Sequence, residues 1–112
     1  MFKTLWRRIK AAYEDKWVVR KIEIARGDFL PRKMPARNLV LVRDGDEDWS
    51  VGFVCPCGCT RTIELLLISD ANPHWRLTRN QKGQPTLSPS IWLNEGCRSH
   101  FWVRDGKIVW CE

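Results

Sequence analysis

Two short cysteine-bearing segments constrain this 112-residue chain more than any other feature. The first reads Cys-Pro-Cys-Gly-Cys and carries Cys55, Cys57 and Cys59; the second reads Cys-Arg-Ser-His and carries Cys97 and His100. Glycine and proline supply the tight turns that a metal knuckle needs. Because the two segments are far apart in sequence, a shared metal site requires a fold that brings them together.

Three cysteines and one histidine suit a closed tetrahedral zinc site with four protein ligands. We predict Cys55, Cys57, Cys97 and His100 as these ligands, with Cys59 as the first substitute. Unliganded cysteines often pack as small hydrophobic residues, and a disulfide is a further alternative. The concentration of these groups in two glycine-bearing turns favours a metal.

The pair Asp105-Gly106 predicts a two-residue turn between the last two strands. In that register Arg104 pairs with Lys107, and His100 pairs with Cys111. Cross-strand partners share a face, with Cβ atoms roughly 5 Å apart. Cys111 is therefore the second substitute ligand.

The fold is predicted to be mainly β and to form one domain over residues 1–112. Segments with apolar alternation and turn residues between them predict strands over residues 17–25, 38–43, 49–53, 60–68, 74–79, 86–93, 99–104 and 107–111. We expect antiparallel sheets, in a small sandwich or a Rieske-like or zinc-ribbon-like arrangement. This metal-binding β domain would span residues 17–112.

Residues 1–16 predict a basic amphipathic helix. An apolar stripe recurs there at helical spacing and consists of Phe2, Leu5, Trp6, Ile9 and Tyr13. Residues 1–43 carry twelve Lys and Arg against four acids, whereas the rest of the chain has a net charge of −2. A basic arm can bind nucleic acid, but no recognition motif supports that function, so we expect a solvated helix face.

The sequence also bears on the compartment. No apolar run exceeds four residues, which excludes a transmembrane helix, and no apolar segment typical of a secretory signal follows the basic start. We expect a cytoplasmic protein with no membrane association. In a reducing cytoplasm, clustered cysteines more often hold metal than form disulfides.

Other conspicuous residues have ordinary explanations. The seven Trp are expected to fill a small core, although aromatic side chains beside Arg can also stack on single-stranded nucleic acid. Trp102 should share a face with His100. No base adjoins Ser88 or Ser90 in sequence, so we expect a turn or bulge there rather than a nucleophile. His74 has no ligand spacing.

The two cysteine segments also resemble the Rieske iron–sulfur pattern, in which the first loop is Cys-x-His. Cys57 replaces that histidine here, and Rieske potentials depend on two histidines on one iron. A two-iron, two-sulfur cluster is therefore the alternative cofactor, and zinc is the expected one.

Longer motifs point to a family. They are the two cysteine segments, the runs 73–77 and 87–91, and the closing run 106–110. With them the chain, over roughly residues 15–111, resembles an uncharacterised family of small bacterial and phage proteins, sometimes encoded beside ubiquitin-like modifiers and their conjugation enzymes. The resemblance implies an accessory role in a conjugation or defence system. The family's metal-type positions fall on Cys55, Cys57, Cys59, Cys97 and His100.

These observations favour a zinc-stabilised, non-enzymatic module whose partners are proteins, such as ubiquitin-like modifiers or conjugation enzymes. The alternatives are an iron–sulfur electron-transfer or redox-sensing module, a zinc hydrolase with an open coordination position, and a nucleic-acid binder.

Overall fold

Eight strands make up the regular structure of residues 18–111, which are the residues that the computed structural model describes. They are β1 (Ile22–Arg26), β2 (Leu39–Asp44), β3 (Glu47–Val54), β4 (Thr62–Leu66), β5 (Arg76–Arg79), β6 (Pro85–Trp92), β7 (His100–Arg104) and β8 (Lys107–Trp110). The strands form two four-stranded sheets, with orders β1-β2-β3-β4 and β5-β6-β7-β8. Residues 18–111 contain no helix, and hence none that could span a membrane.

The first sheet is mixed. β1 runs parallel to β2, whereas β2, β3 and β4 are antiparallel to one another. A parallel pair needs a connection of about a dozen residues or more, and residues 27–38 provide it. This loop also covers the outer face of the sheet: a Cβ atom at Gly52 would lie 2.5 Å from Cδ1 of Leu30. Val40, the cross-strand partner of Gly52, is buried for the same reason.

The second sheet is antiparallel throughout, and its inner face packs against the first sheet. Phe53 of β3 meets Phe101 of β7 edge-on, with ring centroids 6.1 Å apart. The shared core consists of Leu39, Val51, Phe53, Cys55, Ile63, Leu65, Leu87, Ile91, Phe101, Val103 and Ile108. Because side chains alternate along a strand, the burial of Phe101 and Val103 leaves His100, Trp102 and Arg104 on the outer face.

The prediction of a mainly β fold is confirmed, and the sheets form a sandwich. The hairpin register is confirmed as well: Arg104 pairs with Lys107, and the amide of Cys111 donates to the carbonyl of His100 at 2.9 Å. The parallel pairing of β1 with β2 differs from the antiparallel expectation. The N-terminal helix over residues 1–16 lies outside the described residues.

Candidate functional site

Four cysteines gather at one end of the sandwich. The Sγ atoms of Cys55, Cys57, Cys59 and Cys97 all lie within 4.8 Å of one another. Cys55 Sγ lies 3.4 Å from that of Cys57 and 3.6 Å from that of Cys97. Four sulfurs around one zinc, each at a Zn–S distance of about 2.3 Å, would stand about 3.8 Å apart. The thiols are free and could hold a metal ion.

Three of these cysteines lie on the turn that joins β3 to β4. The amide of Cys55 donates to the carbonyl of Arg61 at 2.7 Å, which closes the turn at its base. Gly58 adopts a φ of 92°, a backbone conformation that L side chains rarely adopt, and its amide donates to the carbonyl of Cys55. This fold of the backbone turns Cys55, Cys57 and Cys59 toward one point.

Cys97 comes from the loop between β6 and β7. Gly96, with a φ of 69°, allows this loop to turn. Arg61 lies at the base of the turn between β3 and β4. Its side chain donates from Nη1 to the carbonyl of Glu95 at 3.1 Å. The two cysteine segments are therefore joined by a hydrogen bond as well as by the proximity of their thiols.

Buried Ser99 lies within hydrogen-bond distance of two of the thiols. Its Oγ lies 3.2 Å from Cys97 Sγ and accepts a hydrogen bond from Cys55 at 3.8 Å. Burial opposes ionisation of Cys97, but hydrogen bonds from the side chain and backbone of Ser99 and from the neighbouring thiols outweigh it, lowering the pKa of Cys97 to about 6. Burial raises the pKa values of Cys55 and Cys59. The cluster thus contains one readily ionised thiol, Cys97, and two that ionise less easily, Cys55 and Cys59.

The structure brings together three of the four cysteine and histidine ligands ranked first from the sequence. Cys55, Cys57 and Cys97 lie in the cluster, and the fourth member is Cys59, the first substitute. His100 and Cys111 are not members of this group. They pair with each other across β7 and β8, as the hairpin count indicates.

His100 contacts a serine instead. Its Nε2 lies 3.0 Å from Oγ of Ser90, and the imidazole is half-buried. A hydroxyl within hydrogen-bond distance of an imidazole is the arrangement by which a general base activates a serine nucleophile. Within residues 18–111, no Asp or Glu side chain bonds to His100. The arrangement is therefore a pair rather than a triad in the described part of the chain.

An irregularity in β6 places Ser90 opposite His100. Leu87 pairs with Val103 and Ile91 pairs with Phe101, so the three residues between Leu87 and Ile91 stand opposite Trp102 alone. Such bulges re-aim side chains and are common beside active sites. The extra residues carry the Ser90 hydroxyl onto the outer face, where His100 lies on the neighbouring strand.

Trp92 covers the imidazole. It is the cross-strand partner of His100, and the two rings stack with centroids 4.7 Å apart and planes inclined by 9°. The indole is nevertheless 66% exposed, which is unusual for so large an apolar side chain. The stack restricts rotation of the imidazole and leaves an aromatic surface open to solvent beside the Ser90–His100 pair.

The pairing of Ser90 with His100 was not predicted from the sequence. The two residues are ten positions apart, and the spacing Cys97-x-x-His100 is typical of metal ligation. The available signal was Pro89 within a strand pattern, because proline in a strand interior is largely confined to edges and bulges. His74, for which no ligand role was predicted, contacts the carbonyl of Ala71 at 3.0 Å.

Fold and site together define a β-sandwich protein with a four-thiol cluster at one end and a serine–histidine pair on an exposed sheet face. A family model described as bacterial ubiquitination-like system serine protease (BubE) matches residues 26–111, and the chain belongs to this family. The predicted link to a bacterial ubiquitin-like system is thus confirmed at the level of the family. No curated protein and no solved structure matches the chain.

Proposed function

We propose that the chain is a serine peptidase of a bacterial ubiquitination-like system, with Ser90 as nucleophile and His100 as general base. The observation that carries this proposal is the 3.0 Å contact between Ser90 Oγ and His100 Nε2, in a chain whose family is described as a serine protease. Protein partners from the same pathway remain part of the proposal. In this proposal the chain is an enzyme, in place of the non-enzymatic accessory module that the sequence favoured.

The chemistry follows from the two side chains. Ser90 Oγ attacks the carbonyl carbon of the scissile amide while its proton passes to Nε2 of His100. The imidazolium then protonates the leaving nitrogen as the C–N bond breaks, which leaves an ester on Ser90. Water attacks this ester, His100 takes the water proton and returns it to Oγ, and the carboxylic acid product leaves.

The cysteine cluster supplies a structural zinc site in this proposal. Cys55, Cys57, Cys59 and Cys97 would be the ligands, since their Sγ spacing of 3.4 to 4.8 Å brackets that of a four-sulfur zinc centre. Four protein ligands leave no open position for a catalytic water, which argues against a zinc hydrolase. The donor set is also compatible with iron, and metal analysis separates the two.

Zinc would act on catalysis only through structure. Cys97 lies three residues before His100, and the intervening Ser99 bonds to the cluster at 3.2 Å. A metal that holds Cys97 would hold the start of β7 as well. The cluster therefore positions His100, whereas Ser90 and His100 carry out the chemistry.

A fluorophosphonate probe, which reacts with activated serines, tests the proposal. We expect labelling of the native chain at Ser90, no labelling of Ser90→Ala, and native labelling of Ser88→Ala, a matched serine variant on the same strand. The same set is then assayed for cleavage of a ubiquitin-like modifier that carries a C-terminal extension. Labelling and cleavage that survive in Ser90→Ala would refute the assignment of the nucleophile.

A further inference from the structure

The outer face of the second sheet, defined here by Trp92, Trp102, Val109, Arg104 and Lys107, is the surface from which Ser90 and His100 open to solvent. Trp92 and Val109 are 66% and 40% exposed. Trp102 pairs with Val109 and is half-buried. An apolar strip of this kind beside a nucleophile fits a polypeptide that must lie across it, since exposed apolar patches commonly mark interaction sites.

The charge of this sheet is one-sided. Its four strands contain no Asp or Glu, and they contain Arg76, Arg79, Arg104 and Lys107. The body of the chain after residue 43 is net negative, so the cations here do not follow from overall composition. Asp105, in the turn of the last hairpin, is held by Asn80, whose Nδ2 donates to Oδ1 at 3.1 Å.

Three of these cations share the outer face with the Ser90–His100 pair. Arg104 pairs with Lys107 across β7 and β8, on the same face as His100. Arg76 pairs with Ser88 on the other side, and its neighbour Leu77 packs toward the core, which leaves Arg76 outward. All three cationic side chains are exposed.

Arg104 is held ready for an anion. Its Cζ lies 4.5 Å from the centroid of the Trp102 ring, so the guanidinium rests on the indole. A stacked guanidinium keeps its N–H groups in a fixed fork that matches a carboxylate. Four residues along a strand span about 13 Å, which is the reach from His100 to Arg104.

We infer that this outer face binds a polypeptide that is acidic close to its scissile bond, with carboxylates within about 13 Å of it. The inference rests on the proposed function, because the Ser90–His100 pair defines where the substrate lies. Charge complementarity carries it: the apolar strip accommodates the extended chain beside the scissile bond, and the flanking cations bind its carboxylates.

Binding is tested in the Ser90→Ala background, which lacks the proposed nucleophile. The probes are three fluorescein-labelled twelve-residue peptides that share a Leu- and Gly-containing half and end in four Glu, four Gln or four Lys. A mixed-sequence single-stranded oligonucleotide is the fourth probe. Anisotropy is measured at low and at physiological salt, and thermal melts establish that each variant is folded.

We expect the Glu peptide to bind at least tenfold more tightly than the Gln peptide at low salt, with the difference shrinking as salt rises. Arg104→Glu and Lys107→Glu should each weaken binding of the Glu peptide about three- to tenfold. Arg104→Gln should lose less than Arg104→Glu. Lys33→Glu, a matched charge reversal in the exposed loop before β2, should bind like the parent.

Equal binding of the Glu and Gln peptides, or an equal loss in Lys33→Glu, would overturn the inference. So would an oligonucleotide that binds more tightly than the Glu peptide and responds to the same reversals, because the face would then recognise nucleic acid. Fluorophosphonate labelling of the Ser90-containing chain is scored separately. Acidic-peptide binding without labelling would refute the proposed nucleophile and leave the binding face standing.

Discussion

The sequence and the structure point to different roles for His100. By sequence it is the fourth metal ligand, three residues after Cys97; in the structure its Nε2 contacts Ser90. One imidazole nitrogen cannot bind zinc and accept the Ser90 proton at once, because both use the same lone pair. Cys59 supplies the fourth sulfur of the cluster and leaves His100 available to the serine.

Replacing His100 separates these two roles. We expect His100→Asn to keep the metal content of the native protein while its rate of peptide hydrolysis falls about 10²- to 10⁴-fold, the usual contribution of a general base. Cys59→Ser should lose metal, and activity should be lost with it. Metal per chain, measured by elemental analysis beside the hydrolysis rate, decides the matter; a fall in metal in His100→Asn would restore it as a ligand.

Trp92 should contribute to turnover as well as to binding of the substrate. Its indole stacks on the imidazole at 4.7 Å and fixes the ring plane in the absence of a bonded carboxylate from residues 18–111. We expect Trp92→Ala to lower kcat about tenfold, because a misoriented base loses rate steeply, and Trp92→Phe to recover most of it.

Steady-state kinetics with one peptide substrate measure this effect. Phe29→Ala is the control, since Phe29 is an 83% exposed aromatic residue in the loop before β2, and it should leave kcat unchanged. A Trp92→Ala variant whose kcat stays native, with a change in KM alone, would show that the indole contributes only to substrate binding and does not position the base.

Among the elements, the strands and the last hairpin were predictable because each depends on local signals. Alternation of apolar residues locates each strand within a few residues. The Asp105-Gly106 turn determines the register of the last hairpin. Two features depend on tertiary contacts. The parallel approach of β1 to β2 follows from where residues 27–38 pack, and the two extra residues in β6 follow from the register with β7. The cysteines of the cluster could be listed from the sequence alone. The contact of His100 with Ser90 could not be predicted, because it depends on this register.

The β7–β8 turn is also where the segment before β1 attaches to the second sheet. Arg20 donates from its amide to the carbonyl of Gly106 at 2.7 Å, and a Cβ atom on Gly106 would lie 2.7 Å from the carbonyl oxygen of Arg20. Gly83 has almost the same φ, 77° against 78°, but nothing lies within 4 Å of its Cβ position. The two glycines share the conformational requirement and differ in the contact.

Alanine at these two glycines isolates the contact. We expect Gly83→Ala to lower the free energy of unfolding by about 1 kcal/mol through the left-handed backbone alone. Gly106→Ala should lose about 3 kcal/mol or more, because the backbone of Arg20 must also move. Urea unfolding monitored by tryptophan fluorescence measures both, and equal losses would mean that the Arg20 attachment adds nothing to stability.

At the scale of the whole molecule, the cluster ties the two sheets at one end. Cys55, Cys57 and Cys59 follow β3 of the first sheet, and Cys97 precedes β7 of the second sheet. One ion bound to all four would bridge the two sheets. Structural zinc contributes apparent binding energies of about 10–16 kcal/mol, which equals or exceeds the net stability of about 5–15 kcal/mol usual for a domain. Metal and fold are then one equilibrium.

Removing the metal should consequently abolish folding and activity together. With EDTA, or in Cys97→Ser, we expect loss of the cooperative melt and of fluorophosphonate labelling, because the start of β7 and His100 lose their anchor. Ser90→Ala should lose labelling and keep a native melt, since the hydroxyl lies outside the cluster. Restoring zinc to the EDTA-treated native chain should restore both signals. An unchanged melt in EDTA and in Cys97→Ser would leave the sandwich standing on its apolar core, and the cluster would then have to be assigned a role other than stability.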